Sequence, residues 1–346
     1  MNAFILGAGA SLHAGYPLCN ELAHSLKQWT IRDSEAKQHF QGLVEQLEEK
    51  ADVSNLEKLL TDIVEGRVDF LGWGNYRGRL EYAIRHYFRY IRRTHSASGY
   101  ESFAQRVQPG DVVITFNYDV AVEKELKIAD KFHIGNGYGF TIGQDLTPAS
   151  KVKVFKLHGS ANWIGSIFEG APSGSVFAIG SHRSLGLRPV IPTDELEFLG
   201  YEGVKDPRFR IGGGFITPMI LPTLSKDFYF KTSLGIEWEE FWDSLWNQAK
   251  EALKQAIHVF LLGYSMPIAD ERARELILLN VKKDARITIC CFRDSVHISK
   301  QFKNAKFQNI ETLEDVRFEQ WAASTCNDGS EHLDSKRSYL KNVSAG

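Results

Sequence analysis

Hydrophobic residues occur in short runs that end abruptly at glycine or polar residues. These runs occupy residues 4–6, 112–116, 152–157, 257–262 and 286–292. Short apolar runs rich in β-branched and aromatic residues predict buried strands. The stretches between them repeat apolar residues every three or four positions, which predicts helices. Buried strands that alternate with helical stretches predict an α/β fold built on a parallel sheet.

The first run breaks into a glycine-rich turn, Gly7-Ala8-Gly9-Ala10-Ser11, which Gly15-Tyr16-Pro17 follows. Glycines allow a tight turn that can point backbone N–H groups at an anion, and a helix starting near Ser11 would add its dipole. We therefore predict a phosphate cradle. Leu12 stands where the dinucleotide fingerprint has its third glycine, so a plain turn between strand and helix is an open alternative.

Polar residues follow three of the other runs. Asn117 and Asp119 follow one strand, His158 and a glycine follow the next, and Gly263-Tyr264-Ser265 follow a later one. The carboxyl ends of parallel strands share one edge of the sheet, so we expect these residues to line one crevice. Two blander interpretations remain open: His158 is a structural histidine, and Asn117-Tyr118-Asp119 is an Asx turn that caps the next helix.

Together these segments resemble the sirtuin-like superfamily. The resemblance is carried, in order, by Gly7-Ala8-Gly9-Ala10-Ser11, Gly15-Tyr16-Pro17, Thr115-Phe116-Asn117-Tyr118-Asp119, Leu157-His158-Gly159 and Gly263-Tyr264-Ser265. The Asn-Tyr-Asp segment is most similar to the sirtuin-like NAD hydrolases of bacterial anti-phage systems. The resemblance implies a Rossmann-like parallel sheet, with NAD as the substrate.

The resemblance also implies roles for individual residues. Asn117 would face the ribose and the attacking water, Asp119 would lie beside the nicotinamide carboxamide, and His158 would act as the base. A histidine suits that role because it titrates near neutral pH. The residues implied to bind NAD are Gly7, Ala8, Gly9, Ser11, Pro17, Thr115, Gly263, Tyr264 and Ser265, of which Ser265 would contact the adenosine half. Asp270 is predicted to be a helix N-cap.

The chain departs from the sirtuin deacylases in three ways. Leu18-Cys19 replaces their usual Phe-Arg, and no Phe-Gly-Glu element is recognisable. The four cysteines, Cys19, Cys290, Cys291 and Cys326, include no pair at metal-ligand spacing, so no zinc module is expected. These differences favour water over an acylated lysine and predict an NAD glycohydrolase that forms nicotinamide and ADP-ribose. The alternatives are an NAD-dependent protein deacylase or ADP-ribosyltransferase, and a non-catalytic NAD or ADP-ribose sensor that regulates a partner.

The predicted organisation is a Rossmann-like core interrupted by two insertions. The core comprises residues 1–19, 108–163 and 215–296, with a helical module at 20–107, a loop-rich insertion at 164–214 and a polar C-terminal segment at 297–346. In the helical module an apolar stripe that includes Leu80 and Ile84 opposes a basic stripe of Arg85, Arg89 and Arg92. That basic stripe is interpreted as a solvated surface or as a docking face for an acidic partner.

Composition limits the function classes. Hydrophobic residues make up 43% of the 346 residues, charged residues 24%, and the net charge is −2, values typical of a soluble globular protein with no global field for nucleic acid. We expect no membrane segment, a cytoplasmic location and buried free thiols. The resemblance also implies a role in antiviral defence. Because unrestrained NAD cleavage would kill the host, we expect gating by a homo-oligomer or by a separately encoded activating partner, such as an ATPase or nucleic-acid-sensing protein.

Overall fold

A computed structural model gives the fold and describes residues 1–50, 58, 60–62, 67, 76–140, 148–169, 176–178, 190–192, 213–216 and 236–324. The strands are β1 (Asn2–Leu6), β2 (Val112–Thr115), β3 (Lys153–Lys156), β4 (Trp163–Glu169), β5 (Val176–Ala178), β6 (Val190–Pro192), β7 (Gly213–Ile216), β8 (His258–Leu262), β9 (Arg286–Cys290) and β10 (Ile310–Thr312). The helices are α1 (Leu22–Arg32), α2 (Ser34–Lys50), α3 (Tyr76–Thr94), α4 (Ser98–Arg106), α5 (Ala121–Ile128), α6 (Ile236–Gln255), α7 (Glu271–Asn280), α8 (Ser295–Asn304) and α9 (Phe318–Ala323).

Six of the strands form one parallel sheet in the order β10-β9-β8-β1-β2-β3. Renumbered along the chain, these strands have the order 3-2-1-4-5-6, which Rossmann folds use to bind dinucleotides. This order confirms the predicted Rossmann-like α/β fold. It also puts β1 at the switch point, between the half containing β2 and β3 and the half containing β8, β9 and β10.

The centre of the sheet explains why the sequence has continuous apolar runs. Ile5 and Leu6 of β1 are fully buried, and the Phe4 ring stacks on Phe260 of β8 with centroids 4.8 Å apart. On the same side, Phe103 of α4 meets Phe4 edge-on at 5.2 Å. Strands covered on both faces need no polar alternation, so their sequences are apolar throughout.

A second, antiparallel sheet follows β3. Its strand β4 pairs with β5, β6 and β7, and Ser166 lies opposite Phe215 in the pairing with β7. The sequence analysis placed Phe215 and Ile216 where the Rossmann core resumes, whereas they belong to this smaller sheet. A short apolar run does not reveal which sheet it joins. Most of the predicted loop-rich insertion at 164–214 lies outside the described residues.

The core extends beyond residue 296, where the sequence analysis placed the start of a polar C-terminal segment. Helix α8, strand β10 and helix α9 follow, and β10 pairs with β9. Phe302 is fully buried, and Phe318 and Trp321 are buried as well. A few large side chains spaced along a polar stretch are sufficient to anchor these elements. The tail from residue 325 onward lies outside the described residues.

Helix α3 corrects the interpretation of its arginines. Leu80 and Ile84 are buried, as predicted, but Arg85 is only 5% exposed. Arg89 and Arg92 are half-buried, and all three arginines line a small cavity behind Asp119. Both predictions, a solvated surface and a docking face, are therefore wrong for Arg85. The reason is that α3 lies between α1 and α2 and the turn at Asp119, so the side opposite its apolar stripe is covered too.

Within the described part of the chain, no helix combines the length and the apolar character that crossing a lipid bilayer requires.

Candidate active site

A crevice of about 930 Å³ lies at the carboxyl ends of the central strands. This volume is within the range of about 300–1,000 Å³ that is typical of small-molecule sites. The crevice is lined by Gly7, Ala8, Gly9, Ser11, Pro17, Asn117, Asp119, His158, Gly263, Tyr264 and Ser265. These are the predicted site residues, apart from Thr115. The structure therefore brings together residues from four separate parts of the sequence.

Thr115 lies behind the crevice, at the end of β2. It is 1% exposed, and its hydroxyl accepts a hydrogen bond from the backbone N–H of Asn117 at 3.1 Å. The position of Thr115 therefore supports the turn that carries Asn117.

Two glycine-containing loops pack directly against each other at the floor of the crevice. The N–H of Gly7 donates to the carbonyl of Leu262 at 3.1 Å, and the N–H of Gly9 donates to the carbonyl of Gly263 at 2.9 Å. Gly263 has a φ of +63°, and a Cβ there would lie 2.1 Å from the backbone nitrogen of Ala10. We call this contact between residues 7–10 and 262–264 the glycine clasp.

The glycine clasp corrects the prediction of a phosphate cradle in two details. The N–H groups of Gly7 and Gly9 bind protein carbonyls instead of pointing at an anion. The residues that follow form a short 3₁₀ helix, Ala8–Ala14, which ends at Gly15, so no α-helix starts at Ser11. Ala8 is exposed and presents the loop to the crevice. The glycines are needed because the two backbones approach too closely for side chains.

A buried hydrogen-bond network fixes the Asn117 side chain. Its Nδ2 donates to the carbonyl oxygen of Gly7 at 2.9 Å and to Ser11 Oγ at 3.0 Å. Ser11 Oγ in turn donates to Asp119 Oδ2 at 2.7 Å. Because that bond uses the only proton of the Ser11 hydroxyl, the Tyr100 hydroxyl, also 2.7 Å from Ser11 Oγ, must be the donor.

This network determines which chemistry Asn117 can offer. Both N–H bonds of its amide are used by the protein, and a flipped amide would set its oxygen against the Gly7 carbonyl oxygen. The amide oxygen is therefore the group that can act toward a ligand, and it can only accept a hydrogen bond. Tyr100 remains a donor because burial raises its pKa well above the usual value for tyrosine.

Besides Ser11, Asp119 has two further partners within the protein. Its Oδ1 accepts from the N–H of Ala121 at 3.0 Å, so the Asx-turn interpretation is confirmed for this residue. Its backbone carbonyl accepts from the ammonium group of Lys156, which also pairs with Glu123 at 2.8 Å. Burial raises the pKa of Glu123, although Lys156 opposes the shift. The turn is thereby tied to α5 and β3.

Sequence reasoning missed this buried pair. Lys156 is fully buried and Glu123 is 2% exposed. The available signals were a lysine directly after the apolar Val154 and Phe155 of β3 and a glutamate on the apolar face of a helix, since such charges are buried only when paired.

His158 lies on the wall of the crevice and is 5% exposed. Its ring contacts Phe116 at a centroid distance of 5.0 Å, and Phe116 stacks on Tyr264 at 4.4 Å. The Nε2 atom lies 3.4 Å from Oδ1 of Asp270, which is longer than an optimal N–H···O bond.

Asp270 occupies the N-cap position of α7, as predicted, but its side chain makes no capping hydrogen bond to that helix. Instead it accepts a hydrogen bond from the Tyr264 hydroxyl at 2.8 Å, and it is 3% exposed. Burial, followed by the nearby Asp270, raises the pKa of Tyr264 well above its usual value, so the hydroxyl keeps its proton and donates.

The far end of the crevice is formed by the loops that follow β9 and β10. The guanidinium groups of Arg293 and Arg317 lie 5.5 and 5.1 Å from the centroid of the Phe292 ring. Cys290 and Cys291 also line this end, and burial raises the pKa of both thiols to about 12. They are buried free thiols, as predicted. The described residues contain no cluster of three or more His, Cys, Asp or Glu arranged to hold a metal ion.

No family model matches the chain, and no curated protein matches it significantly. The similar solved structures include one that concerns the mechanism and regulation of Sir2 enzymes; it is 12% identical over 93% of this chain and 90% of that chain, with a TM-score of 0.39. Another, of Sir2Tm bound to a propionylated peptide, is 13% identical over 84% of this chain and 80% of that chain, with a TM-score of 0.35. These structural neighbours are thus distant Sir2 enzymes, and the fold class rests on the strand order of the chain itself.

Proposed function

We propose that this chain binds NAD in the crevice and hydrolyses it to nicotinamide and ADP-ribose. One observation carries the proposal: an acceptor-only amide oxygen on Asn117 and the imidazole of His158 line the same crevice, at the switch point of a Rossmann sheet. Dinucleotides bind across this point, with one half over each half of the sheet. An uncharged acceptor and a group that titrates near neutral pH are what a hydrolytic step needs.

The crevice fits a dinucleotide in size and in the distribution of its groups. Its floor is the glycine clasp, whose residues line the crevice and would lie under the pyrophosphate. Asn117 and His158 lie over the β2–β3 half and would take the nicotinamide ribose. Ser265 and Phe292 lie over the half containing β8 and β9 and would take the adenosine.

The mechanism requires the bond between nicotinamide and the ribose carbon to break as water attacks that carbon. The ribose gains positive charge as nicotinamide leaves. The Asn117 oxygen would hold the water by accepting one of its hydrogen bonds, and His158 would take a proton from the water or from a ribose hydroxyl. The water oxygen stays on ADP-ribose, nicotinamide leaves with the bonding electron pair, and the proton passes from His158 to solvent.

Asp119 would contribute mainly by holding the Asn117 side chain in place through Ser11. Each of its carboxylate oxygens has two lone pairs and one described partner, so either can accept a further bond from the nicotinamide carboxamide.

Water is favoured as the second substrate because the chain departs from the deacylase pattern, in Leu18-Cys19 and in the lack of a cysteine set for zinc. We further propose that NAD depletion serves anti-phage defence and that it is gated by assembly into a homo-oligomer or by a separately encoded activating partner. The support for this role is the Asn117-Tyr118-Asp119 segment in its sequence context. Plaque counts in cells that carry the intact gene or His158→Ala would test it.

The test of the activity is a product analysis. Purified protein is incubated with NAD, with and without an acetylated peptide, and the products are separated by chromatography. We expect nicotinamide and ADP-ribose in equal amounts, whether or not the peptide is present. Formation of O-acetyl-ADP-ribose only with peptide would replace the hydrolase by a deacylase. NAD binding measured by calorimetry without any product, over a wide range of protein concentrations, would favour a sensor.

A further inference from the structure

We propose that Asp270 is a positioning residue for His158 and that it sets which imidazole nitrogen carries the proton. The proposal rests on the proposed function in one respect, since it takes His158 as the base of the reaction. The observation that carries it is geometric: the Asp270 carboxylate lies between the hydroxyl of Tyr264, at 2.8 Å, and Nε2 of His158, at 3.4 Å.

The burial of this group points to a specific task. The side chains of His158 and Asp270 are 6% and 3% exposed, and removing a carboxylate from water costs several kcal/mol, on the order of the whole net stability of a small domain, unless it is paired. Capping of α7 does not compensate for this cost, because the Asp270 side chain makes no capping hydrogen bond there. The carboxylate is instead directed to Tyr264 and His158.

Tyr264 determines how the carboxylate is oriented. Its hydroxyl donates to Oδ2 of Asp270, which turns Oδ1 toward His158. The Tyr264 ring stacks on Phe116, and Phe116 also contacts the His158 ring. Residues that follow β2 and β8, together with Asp270 before α7, therefore surround the imidazole.

The chemical consequence follows from the two nitrogens of imidazole. A carboxylate accepts hydrogen bonds and does not donate them, so Asp270 favours the form of His158 with the proton on Nε2. Nδ1 is then the nitrogen that accepts a proton from water or from a ribose hydroxyl. When it does so, the ring becomes a cation, and the charge of the buried Asp270 stabilises it.

The other polar groups near His158 differ from Asp270 in their charge, position or partners. Tyr264 lies beside Asp270 and is neutral, Asp119 lines the same crevice, and Lys156 lies two residues before His158 on β3. Lys156 is paired with Glu123 in the interior. Asp270 is the carboxylate whose removal should therefore change the proton equilibrium of the base.

The experiment compares Asp270→Asn with Asp243→Asn, an exposed carboxylate that pairs with Arg272 outside the crevice. Asp270→Asn should lower kcat by roughly 100- to 10,000-fold, the usual contribution of general base catalysis, with little change in KM. Without the carboxylate, imidazole loses its proton at lower pH, so the acidic limb of the pH–rate profile should move to lower pH. Asp243→Asn should change neither kcat nor the pH at which the acidic limb of the profile lies.

A second readout does not depend on turnover. Long-range ¹H–¹⁵N correlation spectra of the wild-type protein report which nitrogen of His158 is protonated. We expect the proton on Nε2 in the wild type and a mixture of both forms in Asp270→Asn. A proton on Nδ1 in the wild type would overturn the proposal. It would also be overturned if Asp270→Asn kept a kcat within threefold of wild type and the acidic limb of its pH–rate profile stayed at the wild-type pH. Absence of NAD cleavage by a wild-type protein whose Nε2 carries the proton would instead refute only the proposed function.

Discussion

Replacing Gly263 by alanine should open the glycine clasp. Gly263 has a φ of +63°, and the added Cβ would lie 2.1 Å from the backbone nitrogen of Ala10 and 2.5 Å from the carbonyl carbon of Gly9. The neighbouring atoms belong to the backbone, so no side-chain rotation relieves the contact. The two loops have to move apart, which should change the floor of the crevice.

Gly110 provides the matched control. Its φ of +90° is also in the left-handed region, but a Cβ there would meet no atom within 4 Å. Gly110→Ala should therefore cost only the strain of a left-handed alanine, about 1–2 kcal/mol in the free energy of unfolding. Gly263→Ala should lose a similar amount plus about 1–3 kcal/mol for the backbone collision, taken from the cost of overpacking a core.

The assay is urea unfolding followed by fluorescence, combined with NAD binding by calorimetry. At a slope of roughly 2 kcal/mol per molar urea, an extra cost of roughly 2 kcal/mol lowers the midpoint of Gly263→Ala about 1 M below that of Gly110→Ala. NAD affinity should fall in Gly263→Ala and stay unchanged in Gly110→Ala. Equal midpoints and equal affinities in the two variants would refute the close approach of the two loops.

Three further predictions concern separate parts of the molecule. Asn117→Ala should lower the free energy of unfolding by about 1–3 kcal/mol, because the buried Gly7 carbonyl loses its donor, and should also abolish NAD cleavage; unchanged melting would contradict the network. Burial lowers the pKa of His258 to about 4, so the unfolded chain binds more protons between about pH 6.5 and 4 and stability falls as the pH drops through that window. Thermal melts at pH 7 and 4.5 should accordingly show a smaller loss for His258→Gln than for wild type, and an equal loss would contradict this assignment. Arg85→Glu should destabilise the fold by about 3–5 kcal/mol, because it buries a carboxylate where a guanidinium lies; melting equal to that of the exposed Lys300→Glu would contradict the burial.

The sequence was sufficient for the sheet because each central strand is buried on both faces. Runs dominated by apolar residues gave the strands β1, β2, β3, β8 and β9, although β3, at the edge of the sheet, also contains Lys153 and Lys156; polar residues at the strand ends gave the crevice. Strand β10 was not predicted. Its residues, Ile310–Thr312, are only half-buried and include one apolar side chain, so they lack that pattern.

The parts of the candidate site that the sequence did not predict are contacts between residues that lie far apart in the chain. Tyr100 binds Ser11 across 89 residues, and Asp270 meets His158 across a comparable gap, so neither local pattern predicts its partner. The N-cap interpretation of Asp270 followed from its position before a helix. Its carboxylate does not cap that helix and instead accepts a hydrogen bond from the Tyr264 hydroxyl. The interpretation of the basic stripe on α3 was wrong for Arg85 for a similar reason. Helical periodicity does not reveal whether both sides of a helix are covered.

The most direct test of the central claim is the rate of nicotinamide release from NAD by wild-type protein, by His158→Ala and by His297→Ala. His158 lines the crevice, whereas His297 is an exposed histidine on α8. We predict that His158→Ala releases nicotinamide roughly 100- to 10,000-fold more slowly than wild type, with unchanged melting, and that His297→Ala matches wild type. Release by folded His158→Ala at the wild-type rate would contradict the account.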